Sequence, residues 1–139
     1  MAIRQLSVFI ENRKGQMADV VKSIADAKIN IRAMSVADSK EFGILRLIVS
    51  DVEKAAKLLA EDTIVKTTDV IAVKMEDSEG ALYQVLKVLE GAGINVEYSY
   101  AFTAPKDAGA YVVFRVSDVA AAEKEMSAKG FTLITEKDI

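Results

Sequence analysis

Two hydrophobic periods follow one another at the start of the chain. Leu6, Val8 and Ile10 alternate with Gln5 and Ser7, which is the period of a half-buried strand. The next apolar residues are spaced by three and four positions, as on one face of a helix; they are Met17, Val20, Val21 and Ile24. Strand-like segments follow at 30–37 and 42–49, then a second helical stripe from Val52 and a short strand at 64–67. The predicted order is βαββαβ.

The same pattern then occurs a second time. The stripe that begins at Met17 has an equivalent 65 residues later, which consists of Leu82, Val85, Leu86 and Leu89. It is surrounded by predicted strands at 70–75, 95–103, 110–116 and 131–135, with no glycine-rich or proline-rich linker between the copies. We therefore predict an α+β protein made of two ferredoxin-like βαββαβ repeats, 1–68 and 69–139. Each repeat should form an antiparallel sheet with both helices on one face.

Composition excludes several classes of function. The chain contains no cysteine and no histidine, so it lacks the thiolate and imidazole groups used by most zinc sites and many catalysts. A net charge of −3 supplies no basic field for nucleic acid or an anionic membrane. No segment has the pattern of a signal peptide or of a membrane span. We expect a cytoplasmic protein without catalytic activity, cofactor or metal.

One motif carries a family resemblance. The turn Glu11-Asn12-Arg13-Lys14-Gly15, followed after a helix by Ile29-Asn30-Ile31, resembles the ACT domain, and both segments recur in the second repeat. The resemblance covers the whole chain and implies a tandem ACT protein that regulates by binding a free amino acid. It also implies an effector held at the interface of the two repeats, near the turn after the first strand of each, and an enzyme of amino-acid metabolism as a partner. An unpaired sheet edge in each repeat favours self-association into a homodimer.

The chemistry of such a site can be argued from the residues. A helix that starts after Gly15 has backbone N–H groups without intrahelical acceptors, and these favour a ligand carboxylate. We expect Asn30 beside this helix start, where its side-chain amide could bind either end of a zwitterion. By the resemblance, the candidate ligand-binding residues are Asn12, Gly15, Gln16, Met17, Asn30 and Ile31 in the first repeat, and Asp77, Gly80, Ala81, Leu82, Asn95 and Val96 in the second.

The two turns differ in charge, and several candidates have a second interpretation. Arg13 and Lys14 flank the first turn, whereas Asp77 and Glu79 flank the second, so we predict one better carboxylate site, in the first repeat. As alternatives, Asn12 and Asp77 are interpreted as ordinary helix N-caps, and Gly15 and Gly80 as turn residues that need a positive φ. Asn30 and Asn95 are alternatively interpreted as residues that satisfy loop backbone. Met17 and Leu82 are expected to pack in the core.

Three other functions share this topology. An RNA-binding βαββαβ module would read bases with strand aromatics, but the segment from Lys40 to Leu47 contributes only Phe42 to that pattern. An acylphosphatase-like enzyme would need a phosphate-cradling loop, and the two short turns are unlike one another. The third alternative is a regulatory subunit that docks on a partner protein without any ligand.

Overall fold

A computed structural model describes residues 2–103 and 109–139. The described strands are β1 (Ile3–Glu11), β2 (Ile31–Asp38), β3 (Phe42–Val49), β4 (Ile64–Met75), β5 (Val96–Thr103) and β6 (Ala110–Val116). The described helices are α1 (Gln16–Asp26), α2 (Val52–Leu59), α3 (Ala81–Gly91) and α4 (Val119–Ala128), with a 3₁₀ turn at Glu136–Asp138. The described part of the chain holds no helix of the length and apolarity that a membrane crossing requires. The chain separates into two compact units, Arg4–Thr68 and Asp69–Ile139, the latter joined by the N-terminal residues up to Ile3.

The unit Arg4–Thr68 is built around β3. This strand pairs antiparallel with β1 on one side and with β2 on the other, and the register places Leu6 opposite Leu47. Alternate residues of β1 and β3 point to one face of the sheet, where they meet the apolar stripes of both helices. The buried cluster on this face includes Leu6, Val8, Leu45 and Leu47 from the strands and Val20, Ile24, Ala55 and Leu59 from the helices.

The unit that contains Asp69–Ile139 repeats this arrangement around β6. This strand pairs antiparallel with β4 and with β5, and Ile71 lies opposite Phe114. The core on the helical face combines Ile71, Val73, Val112 and Phe114 with Val85, Leu89, Ala122 and Met126. The predicted class, α+β with ferredoxin-like antiparallel units and helices on one face, is confirmed.

Two predicted strand boundaries were wrong. Segments 64–67 and 70–75 form one unbroken strand, β4, because Thr67, Thr68 and Asp69 offer no glycine or proline that would end it. The predicted last strand, 131–135, is reduced to a single bridge between Leu133 and Val73. There the Thr135 side chain accepts a hydrogen bond from the Lys137 N–H, and this local turn replaces further strand pairing.

Candidate functional site

The turn between β1 and α1 leaves the start of the helix open. Gly15 is the N-cap residue, with φ +88°, and no side chain caps the helix. The Gln16 N–H donates to the Arg13 carbonyl at 3.3 Å, and the Asp19 N–H donates to the Gly15 carbonyl at 3.0 Å. Among the described residues, none accepts a hydrogen bond from the N–H of Met17 or Ala18. Two donors at the positive end of the helix dipole therefore face solvent.

The second repeat has the same geometry at the start of α3. Gly80 is the N-cap with φ +83° and, again, without a side-chain cap. The Ala81 N–H donates to the Ser78 carbonyl at 3.3 Å, and the Gln84 N–H donates to the Gly80 carbonyl at 3.1 Å. In the described part of the chain, the N–H groups of Leu82 and Tyr83 have no acceptor. The turn conformation is thus shared by both repeats despite their different side chains.

The other two helices begin differently. Asp51 caps α2 by accepting from the Lys54 N–H at 3.0 Å, and Asp118 caps α4 by accepting from the Ala121 N–H at 3.0 Å. Among the residues that the structure describes, a carboxylate of the chain itself caps α2 and α4 and none caps α1 or α3. A carboxylate from outside the protein can occupy at α1 and α3 the position that the aspartate occupies at α2 and α4.

The interpretation of Asn12 and Asp77 as N-caps is wrong, because glycines occupy both cap positions. Asn12 instead ties the turn to the connection between β2 and β3. Its backbone N–H donates to the Glu41 carbonyl at 3.0 Å, and its side-chain amide donates to the Ser39 carbonyl at 3.4 Å. Asp77, the equivalent residue, is exposed.

Asn30 and Asn95 are held by their backbone and expose their side chains. The Asn30 N–H donates to the Ser50 hydroxyl at 3.0 Å, and the Asn30 carbonyl accepts from the Ser50 N–H at 2.9 Å. Asn95 makes the same two bonds with Ser117, at 3.1 and 3.0 Å. Within the described residues, neither side-chain amide has a hydrogen-bond partner, so these amides do not serve to satisfy the loop backbone. The adjoining Ile31 and Val96 are half-buried and pack on the cores.

The candidate residues do not all come together within a unit. The register pairs Glu11 with Phe42 at one end of β3, next to the turn that carries Gly15, and pairs Ile31 with Val49 at the other end. Since β3 has eight residues, these ends lie roughly 23 Å apart at about 3.3 Å per residue. The expectation that Asn30 lies beside the start of α1 in its own repeat is therefore wrong. Asn30 lies beyond the C-terminal end of that helix.

Met17 and Leu82 are not core residues, which corrects the expectation that they pack inside. They are 44% and 46% exposed, whereas Val20 and Val85, one turn later, are buried. Both stand in the first turn of their helix, at the end of the buried stripe, and this position accounts for their exposure. Each therefore places an apolar side chain next to the open amides. Gln16 and Ala81 are half-buried at the same turns.

The charges around the turns differ as the sequence predicts. The first turn has one acid and two bases, and the second has three acids and no base; the residues are Glu11, Arg13 and Lys14 against Glu76, Asp77 and Glu79. Arg13 Nε lies 3.0 Å from the Glu11 carboxylate, so these two charges largely cancel. Lys14 has no ion-pair partner in the described ranges and leaves the first turn with a positive field.

This chain is similar to known proteins in sequence and in fold. The family model of the ACT domain pair matches residues 1–139. A crystal structure of a protein from Bacteroides thetaiotaomicron is 36% identical, with 99% of this chain and 95% of that chain covered and a TM-score of 0.92. The ligand-free regulatory subunit of aspartate kinase from Thermus thermophilus shares the fold at 15% identity, with 91% and 92% of the two chains covered and a TM-score of 0.65.

The Thermus flavus regulatory subunit of aspartate kinase gives a similar result, with 13% identity, 90% of each chain covered and a TM-score of 0.63. No curated protein matches the sequence. The repeated open turns, the paired βαββαβ units and the family match over the entire length agree with one another. The chain therefore belongs to the family of ACT domain pairs, which are regulatory modules.

Proposed function

We propose that this protein is a non-enzymatic regulatory module that binds a free amino acid, with the ligand carboxylate at the open start of α1. The observation that carries the proposal is that the N–H groups of Met17 and Ala18, which follow the left-handed Gly15, have no acceptor in the described part of the chain. These amides can donate to an external acceptor, and the helix dipole favours a negative charge there. Family membership supports the choice of a regulatory ligand over an RNA strand.

The size of the ligand limits which candidate residues can act together. A free amino acid is far shorter than the roughly 23 Å that separates the two ends of β3 at 3.3 Å per residue. One molecule cannot touch Gly15 and Asn30 of the same repeat. The proposal therefore assigns the carboxylate to the turn residues and leaves Asn30 of the same repeat out of contact with that molecule.

The charge difference sets the expected stoichiometry. Lys14 adds a positive charge at the first turn, whereas Glu76, Asp77 and Glu79 surround the second turn with negative charge. A carboxylate is attracted to the first turn and repelled from the second, although exposure and salt weaken both effects. We therefore propose one amino acid bound per chain at the first turn.

A thermal-shift screen of the standard amino acids, followed by calorimetry with any positive compound, tests this proposal. A ligand that binds the folded state raises the unfolding temperature. We expect one equivalent per chain, weaker binding in Lys14→Glu, and no weakening in the matched variant Glu79→Lys. No shift with any amino acid would contradict ligand binding. Two equal sites would contradict the assignment to the first turn.

We further propose that the module acts on an enzyme of amino-acid metabolism. Two of the structures that share its fold are regulatory subunits of aspartate kinase, and this likeness supports the proposal through the fold alone. Affinity capture from cell extract with and without the identified amino acid tests it. An enzyme whose recovery changes with the ligand supports docking coupled to binding. An enzyme recovered equally in both conditions supports docking without a ligand.

A further inference from the structure

Helix α3 leaves three large apolar side chains uncovered. Leu82, Tyr83 and Leu86 are 46%, 60% and 37% exposed, whereas Val85 and Leu89 of the same helix are buried. Residues three and four positions apart are neighbours on a helix, so Leu86 lies next to both Leu82 and Tyr83. The three side chains therefore form one continuous exposed patch, which we call the α3 surface.

The space around the α3 surface is open. A methyl group added at Gly80 or at Gly91, near the two ends of the helix, would meet no atom within 4 Å. Contiguous exposed apolar patches commonly mark a contact with another molecule. Tyrosine is enriched at protein interfaces, because it combines a large apolar ring with a hydroxyl group that can hydrogen-bond. The α3 surface therefore has the composition of a protein-binding surface.

Negative charge borders the α3 surface at the start of the helix. Glu76, Asp77 and Glu79 are exposed, and none of them forms an ion pair with another described residue. Near the other end of α3, Glu90 Oε2 lies 2.8 Å from Lys87 Nζ, so these two charges largely cancel. The uncompensated negative charge is thus concentrated beside Leu82 and Tyr83, where it favours lysine or arginine side chains of a partner.

The equivalent surface of the first repeat lacks these properties. In α1, Ala18 takes the place of Tyr83, and Val21, in the place of Leu86, is half-buried. The second repeat carries twelve acidic and seven basic side chains, whereas the first carries nine acidic and eleven basic ones. An exposed apolar patch with a negative border is therefore a property of α3 and not of α1.

The charge also distinguishes a different protein from a second copy of this chain. A two-fold axis through the α3 surface would place the three carboxylates of one copy against the same three of the other, and like charges oppose association. We propose that the α3 surface binds a basic amphipathic segment of a partner protein. Apolar side chains of that segment contact Leu82, Tyr83 and Leu86, and its lysine or arginine side chains pair with the acids at the helix start.

This inference rests on the proposed action on a partner enzyme and names the surface through which the enzyme docks. The second turn repels a ligand carboxylate, so the same charges that weaken amino-acid binding there favour a basic partner. The first repeat then binds the amino acid, and the second repeat binds the enzyme.

A peptide titration tests the chemistry of the α3 surface. The probe is a synthetic helical peptide with leucine on one face and lysine on the other, and the control peptide has glutamate in place of lysine. In NMR spectra of the isotope-labelled full chain, we expect the lysine peptide to shift the amide signals of α3 and its preceding turn, saturably, and the glutamate peptide to shift none. Shifts spread over both repeats, or equal shifts with both peptides, would overturn the proposal. Shifts of the α3 signals on concentrating the chain alone would identify a second copy as the occupant and overturn it too.

Two pairs of variants separate specific binding from general attraction of charge. Tyr83→Ala should raise the dissociation constant of the lysine peptide about tenfold, since exposed aromatic anchors dominate many interfaces. The control Phe42→Ala removes a ring that is equally exposed, 59% against 60%, and should leave binding unchanged. Glu79→Lys should weaken binding more than Glu61→Lys, which changes the net charge equally at an exposed position in the first repeat. Equal effects within either pair would overturn the proposal.

The partner enzyme provides a test that distinguishes this inference from the proposed function. We expect Tyr83→Ala to abolish recovery of the enzyme in affinity capture and to leave calorimetric binding of the amino acid unchanged. An enzyme recovered equally by Tyr83→Ala and the unmodified chain would overturn the α3 surface and leave the action on the enzyme in place. Recovery of no enzyme by the unmodified chain would contradict that action, whereas the peptide titration would still decide whether the α3 surface binds a basic segment.

Discussion

Ser50 holds both backbone polar groups of Asn30. Its hydroxyl accepts from the Asn30 N–H at 3.0 Å, and its own N–H donates to the Asn30 carbonyl at 2.9 Å. Ser117 does the same for Asn95. The serine that precedes each capping aspartate thus fixes the backbone from which each asparagine amide projects. These backbone hydrogen bonds therefore orient the exposed side chain of each asparagine.

Replacing Ser50 should weaken these hydrogen bonds. We expect Ser50→Ala to lower the free energy of unfolding by about 0.5–1.5 kcal/mol, because the Asn30 N–H loses its acceptor. Urea denaturation measures the change, and Ser50→Thr is the control because it retains the hydroxyl. Equal destabilisation by alanine and threonine would show that the hydroxyl bond contributes nothing and that only the fit of the side chain matters.

The fold was predictable because its signals are local and are repeated. Apolar residues at helical spacing, such as Val20 and Ile24, place buried faces correctly. Two strands were predicted where the structure has the single strand β4. Whether a strand continues through Thr68 depends on its pairing with other strands, and the local preference of the residue does not decide it. The last strand, 131–135, was predicted but forms only a single bridge, since local bonds around Thr135 compete with pairing.

The candidate site was predictable only in part. The open turn at Gly15 follows from a local requirement for positive φ, and both repeats keep it. The position of Asn30 relative to that turn depends on which end of β3 each residue reaches, and only the strand register gives this information. The exposure of Met17 likewise depends on how far the helix extends past the buried stripe. Periodicity shows which face of a helix is apolar, but it does not show at which residue that face ceases to be buried.

We expect Gly15 and Gly80 to be important for stability, because each adopts a left-handed backbone conformation at the start of a helix. Alanine at Gly15 or Gly80 should cost about 1–2 kcal/mol of unfolding free energy, because φ is +88° and +83° and a side chain disfavours the left-handed region. The space around both positions is open, so neighbouring atoms do not contribute. Gly91→Ala is the control, since it lies in α3 without a positive φ and should be neutral or stabilising. Thermal unfolding of the three variants distinguishes these outcomes.

The capping aspartates should contribute to stability independently of any ligand. We expect Asp51→Ala and Asp118→Ala each to lose about 1 kcal/mol, since each leaves an N–H at a helix start without its acceptor. Asparagine at the same positions retains a side-chain oxygen and should recover most of the loss. Chemical denaturation with and without the amino acid provides the test. Alanine variants as stable as the unmodified chain would contradict the capping role.

We expect acid to destabilise the C-terminal turn, because protonation of Asp138 weakens its hydrogen bonds to Thr135. The Thr135 N–H donates to the Asp138 carboxylate at 2.7 Å and the Thr135 hydroxyl donates to it at 2.9 Å. The backbone bond first, and the hydroxyl bond second, hold the pKa of Asp138 below its ordinary value. Because the folded pKa is the lower one, the stabilisation of this turn is present above the ordinary aspartate range. It is lost as the pH falls through the folded pKa.

An NMR titration of the Asp138 carboxyl carbon measures that pKa directly. We expect an acidic midpoint in the unmodified chain and a midpoint closer to the ordinary value in Thr135→Val, which removes the hydroxyl and keeps the backbone donor. In Asp138→Asn the Thr135 amide signal should lose its acid-dependent shift, because no carboxylate titrates beside it. An unperturbed midpoint for Asp138 in the unmodified chain would show that the two bonds to Thr135 do not persist in solution.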